Sequence, residues 1–195
     1  MRTLALVPAV AILTVLTAAP AVAGRQVHHD PAQDVVAWHD STLTGTITPG
    51  DRQTDITSLT TVYADRRVRL RAKFRDVATT EDFWTGWDIR TADRLVQVQL
   101  RRIDHGAFLS FHDLTGDLER RGSCPGASYD IRSRQAAIRV TIPRRCFGGG
   151  RWVRTGLEIQ RDTGPGDYQA DDARLDGEII TNRPTSRLGR RISYN

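Results

Sequence analysis

Lysine is almost missing from this chain. Of its 28 basic residues all but Lys73 are arginine, which reads as the base-composition signature of a GC-rich genome rather than as function. Glutamate is scarce too, at Glu81, Glu119, Glu158 and Glu178. No Gly-x-Ser-x-Gly segment occurs, which excludes the usual nucleophile elbow of α/β-hydrolases. His39, His105 and His112 stand apart from any recognisable nucleophile motif, and no repeat of solenoid or propeller period is present. Helix periodicity is nearly absent. After the start of the chain there is no second long apolar run, and no hydrophobic tail closes the sequence.

What stands at the start is an export signal. Met1-Arg2 is followed by an uncharged apolar stretch from Leu4 to Ala19, and Ala21-Val22-Ala23 is the small-x-small pattern that a signal peptidase accepts. Cleavage is expected after Ala23. The stretch is marginal for crossing a bilayer, which needs about 20 residues. No cysteine lies near residue 23 to take a lipid, and no arginine pair precedes the apolar run. The expectation is a secreted, extracellular chain with no membrane span once residues 1–23 are removed.

The remaining 172 residues suit one domain with its own core. Without Arg2, 27 basic residues face 23 acidic ones, and the whole excess lies in Arg183, Arg187, Arg190 and Arg191. The body from 24 to 182 is formally neutral, so no nucleic-acid partner is expected. The basic tail, 183–195, reads as a solvated end able to touch an anionic envelope polymer. The two cysteines, Cys124 and Cys146, are most simply a disulfide in an exported protein.

Strand signals recur along the chain. Val68, Leu70, Ala72 and Phe74 alternate with Arg67, Arg69, Arg71 and Lys73, apolar on one face and basic on the other. The same period of two appears at 96–101, 138–142 and 152–160. Further strands are expected at 33–38, 55–64, 84–91, 106–111, 127–133 and 177–182. Short alternating strands with polar turns predict an all-β, antiparallel sandwich or jelly roll as a single domain, with a closed barrel as the alternative. The sandwich is placed at 55–182, behind a mobile segment at 24–54 that holds one strand around Val35 to Trp38; Trp38 itself reads as core. If Arg134-Gln135 is a two-residue turn, cross-strand partners have numbers summing to 269. Ile131 then faces Ile138, Tyr129 faces Val140, and Ala127 faces Ile142, all on one face. Cys124 and Cys146 fall within one residue of that register and would clamp the hairpin's open end.

Several segments carry a resemblance: Asp30-Pro31-Ala32-Gln33-Asp34-Val35-Val36, Gly50-Asp51, Asp55-Ile56, Phe74-Arg75-Asp76, Ile142 to Gly148, Trp152-Val153-Arg154 and Asp171-Asp172-Ala173. Together they resemble a group of uncharacterised secreted actinobacterial proteins with no assigned activity, over most of residues 30–191. The resemblance implies export, a β fold and the Cys124–Cys146 pair, and carries no catalytic residue. More distantly, the layout is similar to carbohydrate-binding sandwich modules, at the level of fold alone.

Three constellations could carry chemistry. Trp84 and Trp152 fall on the outward faces of their strands, where a flat indole can stack on a sugar ring. Asp51 and Asp55 precede the first long strand, and Asp167, Asp171, Asp172 and Asp176 cluster near the end. Calcium takes six to eight oxygens, and Asp171 and Asp172 are its first-choice ligands here, with Asp51 and Asp55 as partners; the spacing is not that of an EF-hand loop. Glu158, near Trp152, offers the best carboxylate for a glycosidase pair. The leading expectation is a secreted, non-catalytic binding or envelope-associated domain for a cell-wall glycan or anionic polymer. The alternatives are a small extracellular hydrolase and a structural or protein-interaction domain.

Overall fold

The computed structural model describes residues 23–39, 45–77, 82–104, 106–116, 120–175 and 186–194. The apolar segment 1–22, Glu81, His105, Glu119, Asp176, Glu178, Arg183 and the strand expected at 177–182 lie outside them. No helix among the described residues is long and apolar enough to cross a membrane.

Alternating sequence produces two antiparallel sheets packed face to face. Fourteen strands are found among the described residues: β1 (Gly24–His29), β2 (Val36–His39), β3 (Gly45–Ile47), β4 (Ile56–Tyr63), β5 (Arg67–Phe74), β6 (Phe83–Arg90), β7 (Leu95–Ile103), β8 (Gly106–Asp113), β9 (Arg120–Gly122), β10 (Ser128–Arg132), β11 (Ala137–Pro143), β12 (Trp152–Gly164), β13 (Asp167–Asp172) and β14 (Ile192–Ser193). One sheet runs β1-β4-β5-β11-β10. The other runs β3-β2-β13-β12-β6-β7-β8-β9, with β14 paired to the start of β12. The chain is an all-β sandwich.

Parity along each strand decides what is buried. Val68, Leu70, Ala72 and Phe74 of β5 face Val140, Ile138 and Ile142 of β11 on the inner side of one sheet. Trp87 and Ile89 of β6, Val96, Val98 and Leu100 of β7, and Val153, Leu157 and Ile159 of β12 line the inner side of the other. These side chains form one continuous core. Thr61 on β4 and Thr155 on β12 exchange a buried hydroxyl bond of 2.7 Å across the two layers. Neither hydroxyl is left unpaired in the apolar interior.

The hairpin register is the one the sequence predicts. Tyr129 pairs with Val140 and Ile131 with Ile138. The turn is longer than two residues: Ser133–Gln135 forms a 3-10 turn, and Ala136 closes it in the left-handed region at φ 42°. The loop is centred on the same point, so the register is unchanged. Pairing ends at Ser128, one residue short of Ala127. Because β10 is an edge strand, Tyr129 remains 39% exposed, and its hydroxyl reaches the Ala107 carbonyl at 2.6 Å. The Cys124–Cys146 disulfide joins the two chain segments beyond the hairpin, with Cα atoms 5.7 Å apart.

Three expectations are corrected. The segment after residue 23 is not loose: all six residues of β1 pair with β4. Alternation did not reveal it because β1 is an edge strand whose only aliphatic side chain, Val27, is 40% exposed. The basic tail, over residues 186–194, is not a solvated end but packs back on the sandwich, with Ser186 and Ile192 buried. Trp38 is half-buried and stacks on Tyr168, with ring centroids 4.6 Å apart, rather than lying in the core.

Opening the disulfide frees a segment of 22 residues in the unfolded chain. The paired substitution Cys124→Ser with Cys146→Ser is expected to lower stability by about 3 kcal/mol. Urea unfolding of this variant beside the oxidised chain measures it.

Candidate functional site

The outer face of the larger sheet is polar and aromatic. Pairing sets its rows: Gln160 of β12 lies beside Trp84 of β6, Trp84 beside Arg101 of β7, and Arg101 beside Phe108 of β8. The next row holds Asp172, Glu158, Gly86, Gln99 and Ser110. A third holds Gly156, Asp88, Gln97 and His112.

One end of this face is an open groove of about 590 Å³. Trp84, Tyr168, Gln99, Gln160, Arg101 and Asp162 line it. The Trp84 ring folds over Gly86, where a Cβ would stand 2.8 Å from it. Only glycine lets the indole lie flat there, and this packing fixes its orientation. Tyr168 is braced from behind by Trp38. Phe108 continues the row and is 48% exposed.

The other end is covered by the C-terminal strap, residues 186–191. Both the backbone N–H and the hydroxyl of Ser186 donate to Asp88 Oδ2, at 2.6 and 2.5 Å, and Gln97 Nε2 donates to Oδ1. Arg187 N–H donates to Asp172 Oδ2 at 2.8 Å, and Arg174 N–H to Oδ1 at 3.0 Å. Gly156 permits the close crossing, since a Cβ there would stand 2.7 Å from the Arg187 carbonyl. Arg154 holds the Leu188 and Gly189 carbonyls. Burial, against the bonds from Ser186, pushes the Asp88 carboxyl up to about 7. Burial, then Asp88 and Asp172, pushes Glu158 up to about 8.

Trp84 and Trp152 are not brought together. Trp152 lies eight positions along β12 from Gln160, roughly 26 Å away at strand rise. The Arg191 guanidinium sits 4.3 Å from its ring centroid, so the strap occupies that face.

The aspartates expected to act together divide: Asp51 and Asp172 are used elsewhere, while Asp55 and Asp171 stay near one another at one corner. Asp51 is a turn anchor: it accepts Gln53 N, Thr54 N and the Thr54 hydroxyl, and pairs with Arg161 at 3.1 Å. Asp172 faces outward and holds the strap. Asp171 faces inward and accepts the Ile56 N–H at 2.7 Å, tying β13 to β4 across the sandwich. Asp55, fully buried, accepts Gln33 N–H and pairs with Arg75 at 2.9 Å. Next to Asp171 stand two aspartates that the sequence reading passed over as ligands, Asp30 and Asp34, in the crossover from β1 to β2. One carboxylate oxygen from each of Asp30, Asp34 and Asp171 lies within 4.8 Å of the others, and all three residues are buried. The spacing Asp30-Pro31-Ala32-Gln33-Asp34 between two strands was the available signal.

The outer face of the smaller sheet is basic. Arg25, Arg67, Arg69, Arg71, Lys73, Arg132 and Arg139 occupy outward positions, with Asp130 the one carboxylate among these paired strands. Arg71 and Arg139 are direct cross-strand partners in a shallow cavity with Arg69 and Tyr129. Formal neutrality of the body thus conceals segregated charge.

Comparison with models of protein families, with curated proteins and with solved structures finds no match.

The raised Glu158 carboxyl has a consequence for stability. Its folded value of about 8 exceeds its ordinary 4.5, so the folded chain keeps a proton that the unfolded chain releases. That contribution is fully present at low pH and is lost as pH rises through about 8. Glu158→Gln is expected to match the parent near pH 4 and to exceed it in urea midpoint above pH 8, with a flatter profile between.

Proposed function

We propose that the chain is an extracellular, non-catalytic binding domain that holds a glycan in the groove of the larger sheet. The observation that carries the reading is the pairing of two fixed aromatic rings, Trp84 and Tyr168, with planar amide and charged groups from Gln99, Gln160, Arg101 and Asp162. Aromatic faces suit the C–H face of a pyranose, and amide, guanidinium and carboxylate groups suit its hydroxyls. The export signal and the disulfide support the location. Against hydrolysis stands the use of the carboxylates: Asp88 and Asp172 are engaged by backbone N–H groups of the strap, and of the two aspartates that line the groove, Asp82 and Asp162, Asp82 already accepts the Asp104 N–H. Against a purely structural, protein-binding role stands the spread of the exposed apolar side chains: Val27, Ile47 and Tyr129 lie on separate strands, and the two that do adjoin, Ile103 and Phe108, belong to the groove face.

A glycan array and a cell-wall pull-down test this reading. Trp84→Ala is expected to weaken retention about tenfold or more, and Tyr168→Ala to weaken it as well. Trp152→Ala should leave it unchanged. No retention of the parent chain on either support would sink the proposal.

A second reading rests on the basic face. The cross-strand arginines Arg69, Arg71 and Arg139 suit an anionic envelope polymer. Retention on a polyphosphate resin should fall with added salt, and fall further for Arg71→Ser with Arg139→Ser, while Trp84→Ala has no effect.

A further inference from the structure

The chain crosses from the smaller sheet to the larger one between β1 and β2, and it places Asp30 and Asp34 at the two ends of that crossover. Asp171 meets them from β13. Asp55, one residue before β4, is close enough to act electrostatically on both Asp30 and Asp171. Four acids from three separate segments therefore converge at one end of the sandwich.

This arrangement is more than an acidic cluster. Asp30 is 8% exposed, and neither of its carboxylate oxygens is accessible or has a hydrogen-bond donor. Asp55 is fully buried, and while its Oδ2 is taken by Gln33 and Arg75, its Oδ1 is likewise inaccessible and without a donor. Buried carboxylate oxygens normally have partners, since leaving one unpaired away from water is costly. Two cations stand nearby: Arg75 pairs with Asp55 Oδ2 and the Pro49 carbonyl, and Arg174 interacts electrostatically with Asp172 first and Asp30 second.

We propose that Asp30, Asp34 and Asp171, backed by Asp55 Oδ1, bind one calcium ion that pins the interstrand crossover to β13. The chemistry favours calcium. The donors are hard oxygens, with no cysteine or histidine among the clustered ligands. Oxygens that surround one calcium at about 2.3–2.6 Å lie no more than about 5 Å apart, which the three carboxylates satisfy. Magnesium keeps several waters and uses one or two carboxylates, a poor match for a site enclosed by protein acids. The inference does not rest on the glycan reading, because the groove is built from other residues.

Equilibrium dialysis of the full chain, stripped with EDTA and returned to chelator-free buffer, tests it with calcium chloride alone. One calcium per chain is expected. At a hundredfold excess over Kd the melting temperature should rise by about 5–10 °C. Asp30→Asn and Asp171→Asn should lose most of that rise and at least tenfold in affinity. In EDTA, Asp30→Asn should melt no lower than the parent, because it removes a buried acid that has no hydrogen-bond donor. Asp51→Asn, which breaks only the turn and the Arg161 pair, should bind calcium normally. Absence of binding by the parent at millimolar calcium would overturn the proposal without reference to any variant. Equal binding of magnesium, or full affinity in a folded Asp30→Asn chain, would overturn it too.

Discussion

One hydrogen bond organises the end of the sandwich where its two layers must be joined. Asp171 stands on β13 with its side chain turned inward, beside Ile159, and accepts the backbone N–H of Ile56 from the opposite sheet. A carboxylate in that position fixes the start of β4 relative to β13. It also makes the local interior acidic, since the crossover brings Asp30 and Asp34 to the same place. Burial comes first among the causes that push Asp30 up to about 9, and the surrounding aspartates add to it. The hydrophobic core holds the sheets together in bulk, but this corner decides how the chain passes between them.

The strands that bury an apolar face were readable. β5, β7, β11 and β12 alternate with period two, and each has the face that the sequence assigns to it. The strands that escaped notice are stabilised by something other than alternation. β1 is held by backbone pairing to β4 and by the close approach of β14 at Gly24. β13, Asp-Tyr-Gln-Ala-Asp-Asp, has the composition of a turn; it is a strand because Asp171 serves the interior and Asp172 serves the strap. A rule that expects apolar residues inside cannot find a strand whose inward group is an acid.

The same contrast applies to the candidate sites. Trp84 was legible as outward because Trp87 has the opposite parity on β6, and one of the two must be core. Its companion was not legible, since Tyr168 reaches the groove only through the β12–β13 pairing, with Asp162 as the residue opposite it. Trp152 has the outward parity that the sequence gives it, yet the Arg191 guanidinium covers its ring. Asp51 misled because a local turn motif and a binding motif share composition. Asp30 and Asp34 are ordinary loop acids in sequence, and only the crossover between layers gives them a common environment.

The arginine-rich composition noted at the outset has a further meaning once the sheets are in place. Guanidinium groups do not titrate in any range where a protein stays folded, so the outer face of the smaller sheet carries a permanent charge. The groove opens on the opposite side of the sandwich. Near an anionic surface such a body is subject to a torque. The smaller sheet turns toward the surface, and the aromatic groove is presented to the medium, with the molecule's orientation set before any specific contact forms.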